Sequence, residues 1–148
     1  MKDLFNIQMP KIKAIKIDVD AQSIYEIEID ANLDSYYKAI GNDCRLIEVG
    51  ARMPHGNPLL QFKDVMYVDE EALLKWNSME EQNKIGYFKL AIPPSYVPVE
   101  NRRVDMGIIH KFVGSAIIVG TDNDGETISH NQTIRKVHER VMGFHKEK

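Results

Sequence analysis

KAIKIDVDAQSIYEIEID, residues 13–30, decides the fold class. Ile15, Ile17 and Val19 alternate with Lys16 and Asp18, the period of two expected of a half-buried strand. Asp20, Ala21, Gln22 and Ser23 interrupt that pattern. Tyr25, Ile27 and Ile29 then alternate with Glu26 and Glu28, and two such runs around a short polar break read as a β-hairpin.

Working outward, the period changes in ANLDSYYKAIGN (31–42), where Leu33, Tyr36, Tyr37 and Ile40 fall on one stripe of a short helix. Asn32 is placed to cap it and Gly41 to end it. RLIEV (45–49) returns to alternation, whereas ARMPHGNP (51–58) carries prolines and a glycine that suit a loop. DVMYVDEE (64–71) reads as a strand. Asp69 can then cap a helix running through Glu70, Glu71, Leu73, Leu74 and Trp76, and KWNSMEEQNKIG (75–86) is polar and expected to be exposed. YFKLAI (87–92) reads as a strand, and IPPSYVPVENRRVDMG (92–107) as an extended, irregular loop restricted by Pro93, Pro94 and Pro98.

HKFVGSAIIVG (110–120) is the most apolar run and is read as one central strand. The last segment places Ile134, Val137 and Val141 on one face of a terminal helix spanning about 131–145, with Ser129 and Gln132 at capping-box spacing ahead of it. Hairpins mixed with two or three short helices give an α+β fold with a mainly antiparallel sheet. The 148 residues fit one domain, 1–148, with an extended loop region at about 77–110. No internal repeat or low-complexity stretch interrupts it.

Net charge is −3 and the sequence pI is about 5.9, with both signs interspersed. No basic run or stripe marks a nucleic-acid face, so no nucleic-acid partner is expected. The single cysteine, Cys44, excludes an internal disulfide and fits a reducing compartment. No apolar run reaches the ~20 residues of a membrane helix, and the first residues show no apolar leader core. The expected setting is the cytoplasm, with no membrane partner.

IYEIEIDANLDSYYKAIGN, RLIEV, VMYVDEEALLK and GSAIIVGTDNDGE, in that order, resemble a family of small proteins encoded by phages, plasmids and bacterial genomes. That family is known only as a domain of unknown function. Its marks are a YV-(D/N)-E-E segment and a G-(T/S)-A-x-x-V-G strand followed by acidic turn residues. The match covers roughly Ala14 to Glu126. The resemblance implies an accessory protein of mobile-element type and supplies no catalytic residues. Between Lys75 and Val113 this chain is longer than the family pattern, so any special property is expected there.

The candidate chemical sites are sparse. DNDGE (122–126) can be aligned to a calcium loop with Gly125 at position 6, which puts Gly120 at position 1 and Asn131 at position 12. The first and the bidentate ligands are then missing, so a turn is expected and no metal site. Asp18 and Asp20 share a strand face but read as a solvated turn. His55, His110, His130, His138 and His145 show no zinc-motif spacing; His138 and His145 are expected on one exposed helical face. Cys44 is expected to be a buried structural thiol, and Ser115 lies in GSA rather than in a nucleophile elbow.

No cofactor fingerprint and no catalytic set is legible, and enzymatic activity is disfavoured. Arg52 and His55 in one loop, with Tyr96, Arg102 and Arg103 in the other, are the residues expected to bind a partner or ligand. The leading expectation is a non-enzymatic accessory protein that binds a host protein. Two alternatives stay open: a binder of a small anionic, nucleotide-like ligand, and a small hydrolase. Homo-oligomerisation stays open as well.

Overall fold

The computed structural model describes residues 11–41, 43–54, 63–80, 84–92, 96–97, 102–103, 108–122 and 124–145. The expected hairpin forms from β1 (Lys11–Asp18) and β2 (Ser23–Asp30), antiparallel with Ile17 opposite Ile24 and Ala14 opposite Ile27. The helix α1 (Leu33–Ile40) follows. Asn32 caps it by accepting the Ser35 N–H at 2.8 Å, and it stops at Gly41 in extended backbone, without a left-handed turn.

The chain continues through β3 (Ile47–Pro54), β4 (Lys63–Asp69), α2 (Ala72–Ser78) and β5 (Tyr87–Ile92). Two short strands, β6 (Tyr96–Val97) and β7 (Arg102–Arg103), precede β8 (Ile108–Val113), β9 (Ala116–Thr121) and β10 (Thr127–Ile128). α3 (Ile134–Arg140) and β11 (Val141–His145) complete the described elements. The larger sheet runs β2-β1-β9-β4-β3, with β10 folding back on the end of β9; a second sheet runs β11-β5-β8. All of these pairings are antiparallel, and the fold is α+β as the sequence indicates.

Alternation along the central strands divides the core in two. Ile15, Ile17, Met66, Val68, Ala116 and Ile118 meet Phe88, Leu90 and Phe112 of the smaller sheet and Val137 of α3. Ile12, Ala14, Ile117 and Val119 face the other way, against Tyr36 and Ile40 of α1 and against Cys44. The larger sheet is therefore covered on both faces, which is why β9 carries a continuous apolar run.

Several local expectations need correcting. HKFVGSAIIVG is not one strand: Gly114, at φ +83, turns the chain so that β8 joins the smaller sheet and β9 the larger. The terminal helix ends at Arg140, because Val141–His145 pairs with β5 instead, with a bulge at Gly143 (φ +141). His145 therefore shares no helical face with His138. Thr133, not Ser129, caps α3 by accepting the Lys136 N–H. ARMP belongs to β3, where an edge position tolerates Pro54. Asp69 accepts the Glu71 N–H, but α2 starts at Ala72 behind Glu71. The loop expected at 92–107 contains a pairing, Tyr96 opposite Arg103 and Val97 opposite Arg102.

Candidate functional site

Of the five residues expected to bind a partner, His55 lies outside the described residues. Arg52, Tyr96, Arg102 and Arg103 are described by their backbone alone. The pairing of β6 with β7 brings Tyr96 opposite Arg103, while Arg52 stands opposite Val65 in the larger sheet.

The groups that a hydrolase would use are engaged structurally. Cys44 is buried; burial first, then the nearby Asp69 carboxylate, pushes its thiol up to about 11, so it is not a thiolate near neutral pH. The Ser115 hydroxyl accepts the Val19 N–H at 3.1 Å in a buried setting. Asp18 accepts the Asp20 and Ala21 N–H groups on one oxygen and the Tyr25 hydroxyl, at 2.7 Å, on the other. Burial raises Asp18, but these donors and Lys16 outweigh it and hold the carboxyl below its ordinary value. Tyr25, donating to Asp18, is pushed up to about 12. In DNDGE, one Asp122 oxygen accepts the N–H groups of Asp124 and Glu126, both at 2.9 Å, and Gly125 takes φ +83: a turn held by its own aspartate.

Asp64 was not singled out by sequence, yet it is fully buried. Its oxygens accept the Asn131 N–H at 2.8 and 3.0 Å and the Asn131 amide at 3.3 Å. Burial pushes the Asp64 carboxyl up, against the opposing pull of the Asn131 donors, the His130 charge and the Gln132 N–H. Beside it, the His130 Nε2 lies 2.8 Å from Glu26. The segment that delivers these residues crosses the sheet: the Ser129 hydroxyl accepts the Lys13 N–H, and the His130 N–H donates to the Lys13 carbonyl. Asp64 stands opposite Gly120, over which the Ser129 carbonyl sits so closely that any Cβ there would overlap it. Asp64 holds this crossing in place. Among the described residues, no three His, Cys, Asp or Glu side chains converge as a metal site would require.

Two clefts flank α2. One, of about 230 Å³, is bordered by Asp20, Asp43, Asp69, Cys44 and Ser115, and Lys75 ties its walls by bonding Asp69 at 2.8 Å and the Asp43 carbonyl at 2.7 Å. The other, of about 180 Å³, is floored by Val68, Ala72, Phe112 and Val113. Glu48, Asp69 and Glu70 border it from β3, β4 and the turn into α2, Leu73 from α2, and His110 and Lys111 from β8.

Beyond that second cleft lies a surface of a different kind. Trp76, half-buried, donates its indole N–H to the Ile85 carbonyl at 3.1 Å. The Lys84 ammonium sits 3.9 Å from the Trp76 ring centre and the Lys111 ammonium 4.5 Å. Lys111 also lies 4.1 Å from the Tyr87 ring, which stacks on His145 at 4.9 Å. Lys89 stands directly opposite Lys111 in the β5–β8 ladder, and Ile109, 59% exposed, stands opposite Ala91. Apolar side chains are also exposed at the start of α2: Leu73 and Leu74 at 58% and 72%, with Leu46, whose carbonyl accepts the Glu70 N–H, close by in the chain path.

No protein-family model, curated protein or solved structure matches the chain. The basic face escaped sequence analysis because its members come from α2, the segment after it, β5, β8 and β11. The lone tryptophan inside a polar stretch was the one available signal.

Proposed function

We propose that the protein acts by binding a partner protein rather than by turning over a substrate, in the accessory, mobile-element setting that the family resemblance implies. The observation that carries this is the exposed apolar surface at the start of α2: Leu73 and Leu74 face solvent one after the other, and Leu46 lies nearby. Adjacent exposed leucines on a short helix contribute little to the fold and match what protein interfaces bury at their centre. Among the described residues, no arginine lines the two clefts beside α2, which gives the anionic-ligand alternative less support. The engaged state of Cys44, Ser115 and Asp64 likewise gives the hydrolase alternative little support.

Affinity capture from host lysate by the wild-type chain, compared with Leu73→Asp/Leu74→Asp, tests this. The expected result is a partner retained by the wild type and lost by the variant, with unchanged thermal unfolding. Equal capture by both would remove the α2 surface from consideration. Tyr96→Ala/Arg102→Ala/Arg103→Ala, run alongside, asks the same of the β6–β7 hairpin, the region where the chain exceeds the family pattern.

A further inference from the structure

We infer that the solvent face of the β11-β5-β8 sheet, with Trp76 at its margin, binds an acidic protein segment that also carries apolar side chains. This rests on the protein-binding proposal above and names the chemistry of the partner.

Lys89 and Lys111 are direct register partners, an arrangement that disfavours the folded sheet because like charges are held together. Among the described residues, neither makes an ion pair that would offset this. Lys111 is instead held against the rings of Trp76 and Tyr87, so the cation is positioned without being neutralised. A chain of net charge −3 thus concentrates unneutralised positive charge on one exposed face. Carboxylates are the complement to that charge, and Trp and Tyr are the side chains most often found at the energetic centre of interfaces.

The same face supplies the apolar contact. Ile109 lies two residues from Lys111, hence on the same side of β8, and is largely exposed. An extended segment carrying an acidic and an apolar residue two positions apart, hence on one face, can meet Lys111 and Ile109 together. Nucleic acid fits less well. A phosphate backbone is met by a run of cations, whereas this face sets the lysine pair beside the apolar Ile109.

The test uses the full chain and a short fluorescein-labelled peptide of glutamates and leucines, followed by anisotropy. Beside it run the same peptide with glutamines in place of glutamates, and a labelled oligo-thymidylate. The acidic peptide is expected to bind, to weaken with added salt and to change the fluorescence of Trp76, the only tryptophan. The glutamine peptide and the Lys89→Glu/Lys111→Glu variant are each expected to lose about tenfold or more in affinity. Lys38→Glu/Lys136→Glu, an equal charge change at exposed helix positions elsewhere, is expected to stay within about twofold. No binding, an equal loss in both double variants, or tighter binding of the oligonucleotide would overturn the inference. Lysate capture separates the two proposals. A partner lost by Leu73→Asp/Leu74→Asp but kept by Lys89→Glu/Lys111→Glu sinks this inference alone, and a partner lost by neither sinks the α2 surface with it.

Discussion

The two main sheets share a core but differ in what they leave open. The larger is packed on both faces, by α1 on one side and by the smaller sheet with α3 on the other, and Ala116 to Val119 of its central strand are fully buried. The smaller sheet buries Phe88, Leu90 and Phe112 on one face and presents Lys89, Lys111 and Ile109 to solvent on the other. Substitutions in the first should register as lost stability, and substitutions on the open face of the second as lost binding. On the proposed reading, scaffold and recognition lie in separate layers of one fold.

The largest effect should come from β9. Ile117→Ala and Ile118→Ala empty the two opposite cores, and each should cost about 2–5 kcal/mol in denaturant unfolding. A loss under about 1 kcal/mol at both would mean that this sheet is not the scaffold. Next comes Gly120→Ala, where the new methyl group must displace the Ser129 carbonyl and loosen the crossing that seats Asn131 on Asp64. About 1–3 kcal/mol is expected, the range of an overpacked site. Unchanged stability would show that the crossing yields freely.

A smaller effect separates two aspartates by sign. Asp18 is held below its ordinary value of 3.8, so its contribution is present above that value and is lost as pH falls through the folded one. Asp64 is pushed above 3.8, so its contribution is greatest below that value and declines as pH rises through the folded one. Unfolding midpoints between about pH 3 and 7 should show the wild-type advantage over Asp18→Asn shrinking on acidification. The difference between wild type and Asp64→Asn should move the opposite way. Two curves moving in parallel would refute the assignment.

The smallest effect belongs to the open face. Lys89→Gln, which relieves the opposition to Lys111, and Ile109→Ala should each change stability by no more than about 0.5 kcal/mol. A destabilisation above about 1 kcal/mol in either would make this face part of the scaffold and erase the contrast between the sheets.

How much of this could be read from the sequence depended on how local the signal was. The β1–β2 hairpin and α1 follow from period and capping within a few residues, and both stand where Ile15, Tyr25 and Asn32 placed them. The break inside HKFVGSAIIVG was not legible, because an apolar run looks the same whether it stays in one sheet or passes between two. Only the left-handed Gly114 marks the change. The terminal segment misled for a related reason: Ile134, Val137 and Val141 keep helical spacing, but the open edge of β5 takes Val141–His145 as a strand. Asp64 reads in sequence as a polar strand start. Its burial depends on Asn131, 67 residues away, which no local pattern reveals. The pairing of Lys89 with Lys111 and the placing of Trp76 between two lysines are likewise products of topology.

Amide and indole chemical-shift mapping with the glutamate–leucine peptide addresses the central claim most directly. Binding at the open face predicts shifts at Tyr87, Lys89, Ile109 and Lys111 and at the Trp76 indole N–H, with β1, β9 and α1 unmoved. Shifts centred on Lys11, Lys16 and Lys38 at the α1 side, with β5 and β8 silent, would contradict it.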